Sequence, residues 1–129
     1  FVTQRDFVPQ HTLPQILANA DLFIFASSCE NMPNTLIEAM AAGLPIACSD
    51  RGPMPEVLQD GGVYFDPERP ESIAQAIADL LDHPEKRERL ARRARELASQ
   101  YSWKRCAEET FSFLVESALK SKVLGRKFD

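Results

Sequence analysis

The sequence predicts an α/β fold, a three-layer sandwich in which helices cover both faces of a parallel sheet. Three observations carry that expectation. Short apolar runs at Leu22-Phe23-Ile24-Phe25, Pro45-Ile46-Ala47-Cys48 and Val63-Tyr64-Phe65 have the length and residue types of strands buried on both faces. Between and after them lie stretches whose apolar residues recur at helical spacing. The connections are short and punctuated by proline and glycine. Strands alternating with helices in this way imply βαβ units with right-handed crossovers.

In order, Phe1 to Val8 has apolar residues at both ends of a polar middle and is expected as a weak strand, stopped by Pro9. Thr12 is expected to cap a short helix through Leu13, Ile16 and Leu17, with Pro14 inside its first turn. The strand Leu22–Phe25 follows Asp21. A helix is expected from Pro33, a residue suited to the first helical position because its missing N–H has no partner there in any case. It ends at Gly43, which can turn left-handed without steric cost. Leu36, Ile37 and Met40 form its inward stripe, leaving Asn34 and Glu38 on the other side. After the second strand, Pro55 to Gln59 allows only a helical turn, and Gly61-Gly62 introduces the third strand. The remainder is helical. One stripe runs Ile73, Ala76, Ile77, Leu80, Leu81, and a second helix opening at Pro84 turns Leu90, Ala94, Leu97 and Ala98 inward. A last helix capped by Ser102 carries the stripe Trp103, Ala107, Phe111, Leu114, Ala118. Residues 1–66 thus alternate strands and helices and residues 67–122 are mainly helical, within one domain. The segment from Val123 to Asp129 has no clear pattern.

A chain of 129 residues with 44% hydrophobic and 26% charged residues suits one globular domain with a real core. The net charge of -4 lacks the basic surplus of a nucleic-acid partner. Its one basic cluster, Lys86 to Arg95, interleaves glutamate at helical spacing, the pattern of a solvated face with i,i+4 pairs. Cys29, Cys48 and Cys106 show neither zinc spacing nor an even count, which fits a reducing cytoplasm. No run has the length of a membrane span. Cys48, Cys106 and Trp103 are expected as packing residues, Cys29 as a small residue at a strand end, and His11 and His83 as surface or cap residues.

The chemistry concentrates between the first strong strand and the helix that follows. Glu30 and Glu38 flank the helix start with seven residues between them. Glu38 lies in the second turn, too far in for a capping box and largely beyond the helix dipole, so its stabilising value is small. Backbone N–H groups at Asn34 and Thr35 would face an anion between the two carboxylates, as free N–H groups at a helix start do. Ribose, diphosphate and sugar, the parts of a sugar nucleotide, match that arrangement.

The run Ala20-Asp21-Leu22-Phe23-Ile24-Phe25-Ala26-Ser27-Ser28, then Glu30 to Glu38, then Ala39-Met40-Ala41-Ala42-Gly43-Leu44-Pro45-Ile46, closely resembles the C-terminal domain of retaining GT-B glycosyltransferases of the glycogen-synthase and sucrose-synthase superfamily. Their E-x7-E motif matches Glu30 and Glu38. Ser49-Asp50-Arg51-Gly52-Pro53-Met54-Pro55-Glu56 resembles the loop that follows in that family, and Asp66 to Leu81 and Tyr101-Ser102-Trp103 resemble its closing helices.

The resemblance implies a partial Rossmann-like GT-B domain that holds a nucleotide-sugar donor at the crevice outside the strand ends. Glu38 would take the ribose hydroxyls, and Glu30, the catalytic residue, would contact the donor sugar. Met32, Pro33, Asn34 and Thr35 would run beside the diphosphate, with Arg51 and Glu56 as further donor contacts. No metal or cofactor is implied beyond the NDP-sugar substrate. The family's upstream Gly-Arg loop and lysine, and its acceptor-binding N-terminal domain, have no counterpart in these residues. The chain is therefore expected to be a fragment that is inactive alone and self-associates through an exposed sheet edge. The family also implies a cytoplasmic protein, with acceptors that extend to the inner face of the membrane. A sugar-nucleotide epimerase or hydrolase of the same fold, or a pseudo-glycosyltransferase interaction domain, are the alternatives.

Overall fold

The structure is a computed structural model that describes residues 2–4 and 6–125. A 3-10 turn at Gln10–Thr12 leads into α1 (Leu13–Ala18), followed by β1 (Phe23–Phe25), α2 (Asn34–Ala42), β2 (Ile46–Ser49), α3 (Met54–Leu58), β3 (Val63–Phe65), α4 (Pro70–Asp82), α5 (Pro84–Ala98) and α6 (Trp103–Gly125). The strands form one parallel sheet in the order β1-β2-β3. Phe25 stands opposite Cys48, and Ala47 opposite Val63.

β2 is the middle strand, and Ile46, Ala47, Cys48 and Ser49 are all 0% exposed. Its apolar composition follows from that position, since such a strand has no solvent face. On one face Ala47 and Phe65 join Ala76 and Leu80 of α4 and Leu90 of α5 in a single cluster, edged by Leu22, Val63 and Ile73. Neighbouring side chains alternate across a sheet, so Tyr64 points to the other face. There its hydroxyl donates to the carbonyl of Gln59, 2.6 Å away at the end of α3. Helices therefore stand on both faces, as the sequence predicts, and α5 packs along α2. Gly43 closes α2 in the left-handed conformation at φ 75°.

Gly61 and Gly62 are tightly enclosed. A methyl group on Gly62 would stand 2.8 Å from the Ile46 carbonyl oxygen, and one on Gly61 3.0 Å from Ala94 Cα. The double glycine thus lets β3 start directly against β2 and α5.

Several expectations give way. Of the predicted strand over residues 1–8, residues 2–4 and 6–8 pair with nothing, and Val2 and Phe7 are exposed; residues 1 and 5 lie outside the described residues. A strand exists only through ladder bonds to a neighbour, and β1 pairs with β2 alone among the described strands. The Thr12 hydroxyl does not cap α1 but donates back to the Pro9 carbonyl at 2.7 Å, because Thr12 is itself the last residue of the 3-10 turn. Pro33 precedes α2 as its N-cap instead of opening it. In α4, Ala76 and Leu80 are buried but Leu81 is 52% exposed, since the stripe facing the sheet is narrower than its pattern.

Phe1–Ser99 form one compact unit and Gln100–Asp129 a second. In the second, the Ser102 hydroxyl accepts the Arg105 N–H at 3.2 Å, the predicted cap of α6. Within this unit Trp103 is 79% and Phe111 68% exposed, and Cys106 is exposed as well. A periodic pattern encodes a face fit for burial, not the surface that buries it. Residues 126–129 lie outside the described part of the predicted tail.

Candidate functional site

In a parallel sheet all strands end at the same edge, and the polar groups of this chain gather in the loops that leave that edge. β1 empties into residues 26–33, β2 into Asp50-Arg51-Gly52-Pro53, and β3 into Asp66.

The first loop delivers the start of α2. No side chain caps this helix. The Asn34 N–H turns back to the Met32 carbonyl at 2.9 Å, and the Ile37 N–H reaches the Pro33 carbonyl at 3.2 Å. The N–H groups of Thr35 and Leu36 find no acceptor among the described residues. The open donor pair is therefore Thr35 and Leu36, one residue later than the pair expected from sequence, because the helix starts one residue later. Leu36 is fully buried and pins this turn to the core, while Asn34 and Thr35 are exposed. Of the two unpaired N–H groups, that of the exposed Thr35 faces solvent at the positive end of the helix, while that of the fully buried Leu36 does not.

Glu30 and Glu38 both are half-buried, and neither forms an ion pair with a described residue. They lie toward different neighbours. The backbone carbonyl of Glu30 adjoins Gly52 in the turn after β2, where an added methyl group would sit 4.0 Å from that oxygen. Glu38 lines a groove between α1 and α2 together with Gln10, Leu13, Pro14, Leu17 and Ala41. Met32 is 45% exposed beside the helix start, whereas Pro33 is fully buried beneath it.

Arg51 stands over the ends of β2 and β3. Its backbone N–H donates to the hydroxyl of the buried Ser49 at 3.2 Å. Its guanidinium donates to Asp66 at 3.0 Å and pairs with Asp50 at 3.5 Å. Asp66 also accepts the Glu68 N–H at 3.1 Å, which fixes the carboxylate facing the arginine. Glu56 sits exposed in the first turn of α3, without an ion partner among the described residues. Cys29 is exposed in the β1 loop, while burial pushes the Cys48 thiol up to about 12. No group of three or more His, Cys, Asp or Glu side chains among the described residues is placed to hold a metal.

Sequence reasoning missed Asp66, Asp50 and Ser49 as partners of Arg51, and the α1 residues that share a groove with Glu38. Their signal was positional: each polar partner directly follows or ends a strand, at the edge that carries Glu30.

A parallel sheet with helices on both faces, and an open helix start at the strand ends, belongs to the α/β class that takes ligands at that edge. The chain belongs to the glycosyl transferases group 1 family, whose model matches residues 3–97. It is 40% identical over 116 residues to the spore coat protein SA of Bacillus subtilis, covering 86% of this chain and 31% of that protein. It is 33% identical over 106 residues to the O-antigen chain mannosyltransferase B of Escherichia coli, covering 82% and 28%. Among solved structures, the sucrose-phosphate synthase from Thermosynechococcus elongatus superposes with a TM-score of 0.72 at 22% identity, over 81% of this chain and 27% of that one. Anabaena Alr3699/HepE in complex with UDP superposes at 0.70 with 24% identity, over 81% and 29%. The two superpositions show the fold, part of a Rossmann-like α/β domain. The chain spans less than a third of the length of each relative.

Proposed function

We propose that this chain is the nucleotide-sugar donor-binding part of a retaining glycosyltransferase, with the acceptor held by residues outside it. The observation that supports this reading is the uncapped start of α2, where the N–H of the exposed Thr35 has no acceptor among the described residues and is flanked in sequence by two carboxylates without an ion pair among them. A nucleotide-sugar offers one complementary group to each. Its diphosphate takes the open Thr35 N–H, beside the backbone of Met32, Pro33, Asn34 and Thr35. Its ribose hydroxyls donate to Glu38, whose groove has an apolar floor of Leu13 and Leu17 for the base. Its sugar hydroxyls donate to Glu30. Glu56, exposed past the Gly52 turn, borders the same end.

The chemistry asked of these groups is positioning and charge stabilisation. When the bond between the sugar and the diphosphate breaks, the electron pair stays with the diphosphate oxygen. The Thr35 N–H and the positive end of α2 are fixed in advance toward that charge and cost no reorganisation as it develops. Glu30, the catalytic residue of this reading, holds the sugar in the orientation the acceptor must meet.

The same reading puts the protein in the cytoplasm, with acceptors at the inner face of the membrane within its range. Three free cysteines fit a reducing compartment. The outer edge of β1 carries the N–H and carbonyl of Ile24 unpaired with β2, because the Phe23 N–H is the one directed to the Pro45 carbonyl. The chain alone would cover that edge with a second copy.

The test is calorimetric titration of a panel of nucleoside diphosphates and their sugars, with Glu38→Ala alongside. Losing charge-assisted bonds to two ribose hydroxyls should weaken binding on the order of 10- to 100-fold. Unchanged affinity would remove Glu38 from the ribose, and a chain that binds none of the panel would remove the donor-site reading.

A further inference from the structure

The connection from α3 to β3 is a tight turn that places a carboxyl directly before a glycine nitrogen. Asp60-Gly61 is the one Asp-Gly or Asn-Gly pair of the chain. In such a pair the glycine has no side chain to hinder the approach of its nitrogen to the carboxyl carbon before it. The turn is closed by the Gly61 N–H, which donates to the Leu58 carbonyl at 2.8 Å. Gln59, inside it, takes φ 50° and ψ -118°, a conformation that residues with side chains rarely adopt. The Tyr64 hydroxyl holds the carbonyl of that strained residue at 2.6 Å. From α5, Arg93 Nε donates to Asp60 Oδ1 at 2.7 Å, and this bond keeps the carboxyl below the usual carboxylate range. The Asp60 side chain is otherwise open to water, 70% exposed.

We propose that Asp60-Gly61 is a site of spontaneous backbone isomerisation, held closed in the folded chain by the Arg93 clasp and the Gly61–Leu58 bond. The Gly61 nitrogen attacks the carbon of the protonated Asp60 carboxyl. An N–Cγ bond forms, and the amide proton and the carboxyl hydroxyl leave as water, giving a cyclic succinimide. Water then adds to either ring carbonyl. Cleavage of the N–Cγ bond restores aspartate. Cleavage of the bond to the former main-chain carbonyl leaves isoaspartate, with the chain running through Asp60 Cβ. The first step needs a free Gly61 nitrogen and an uncharged carboxyl, and the folded turn supplies neither. Strain at Gln59 works the other way, because opening the turn relieves it. The product does not fit the fold. It lengthens the main chain by one carbon ahead of buried Gly61, where an added methyl group would already stand 3.0 Å from Ala94 Cα and from the Leu58 carbonyl oxygen. Isomerisation therefore displaces the start of β3.

The test incubates the unsubstituted chain at neutral pH, folded and in urea. Isoaspartate is counted by an isoaspartyl methyltransferase and located by electron-transfer fragmentation. The folded chain should react on the order of 10-fold more slowly than the unfolded one, since the reaction waits on local opening. Arg93→Gln keeps most of the stem on α5 but removes the charge, and should speed the folded reaction about 2- to 5-fold, the range of one exposed ion pair. Arg93→Lys keeps the charge and should return the slow rate, while in urea both variants should react like the unsubstituted chain. Equal rates in the folded and unfolded unsubstituted chain overturn the inference, and that comparison stands whether or not the variants fold. So does an Arg93→Gln chain, folded by circular dichroism, that reacts no faster, or an Arg93→Lys chain that reacts as fast as Arg93→Gln. Isoaspartate that forms at other aspartates ahead of Asp60 in the unfolded chain also refutes it.

Discussion

Replacing Gly62 with alanine sets two opposed effects against each other. In the unfolded chain alanine has less freedom than glycine, which by itself would stabilise the fold by about 0.4–1 kcal/mol. In the folded chain the new methyl group would stand 2.6 Å from Leu58 Cδ2 and 2.8 Å from the Ile46 carbonyl oxygen, where ordinary contact begins at 3.4 Å. Leu58 can swing its side-chain end away only within a core where it is 0% exposed. The Ile46 carbonyl belongs to the first residue of the fully buried middle strand and cannot withdraw without moving β2. Such overpacking costs about 1–3 kcal/mol, and backbone on one side places this case at the upper end. The net is a loss of about 2 kcal/mol, which lowers the midpoint of a unit this size by roughly 8–16 °C. Scanning calorimetry of the substituted and unsubstituted chains measures it. A midpoint that rises, or falls by less than about 2 °C, would show that β3 has slack against β2 and that the steric argument is wrong.

Asp79 accepts the Lys86 ammonium at 2.6 Å and also faces His83, and that hydrogen bond holds its carboxyl below the usual carboxylate range. Its contribution to stability is therefore present above the ordinary carboxylate pKa and is lost as pH falls through the depressed one; Asp79→Asn should flatten the acid limb of a midpoint-against-pH curve, and an unchanged limb would clear this corner of any role. Thiol labelling with a maleimide near neutral pH should modify exposed Cys29 and Cys106 quickly and spare Cys48, whose burial raises its thiol to about 12, until the chain unfolds; mass spectrometry showing three fast labels would contradict the burial of β2. Static light scattering should show concentration-dependent association that Ile24→Lys weakens, since a charge at an open strand edge discourages pairing; a strict monomer would rule the edge out as a contact.

What could be read from sequence divides by the range of the interactions involved. Leu90, Ala94, Leu97 and Ala98 were legible because a helix between two packed surfaces advertises its burial at 3.6-residue spacing. β3 was legible because the apolar run Val63-Tyr64-Phe65 follows the Gly61-Gly62 break; that the glycines sit where backbones crowd was not. Glu30 and Glu38 could be placed around a helix start because Pro33, the stripe Leu36-Ile37-Met40 and Gly43 mark that helix in the sequence. The divergence of their surroundings, one toward Gly52 and one toward α1, depends on how separate elements pack. The Arg51–Asp66 pair joins residues 15 apart across two strands, and nothing in the local pattern of either announces it. The strand expected before Val8 failed because a strand is ordered only by pairing with a neighbour, which local sequence does not specify.

The bare start of α2 also bears on how this protein could evolve. A serine or aspartate at an N-cap typically strengthens a helix by about 1 kcal/mol, but a variant carrying one at Pro33 would also give up the packing of a fully buried ring. The side-chain oxygen of that variant would occupy the very N–H groups left open here and act as a built-in competitor of any incoming anion. Capping and ligand capture therefore compete for the same end of the helix at this position. A proline, which can neither cap nor compete, is the residue that keeps the seat vacant.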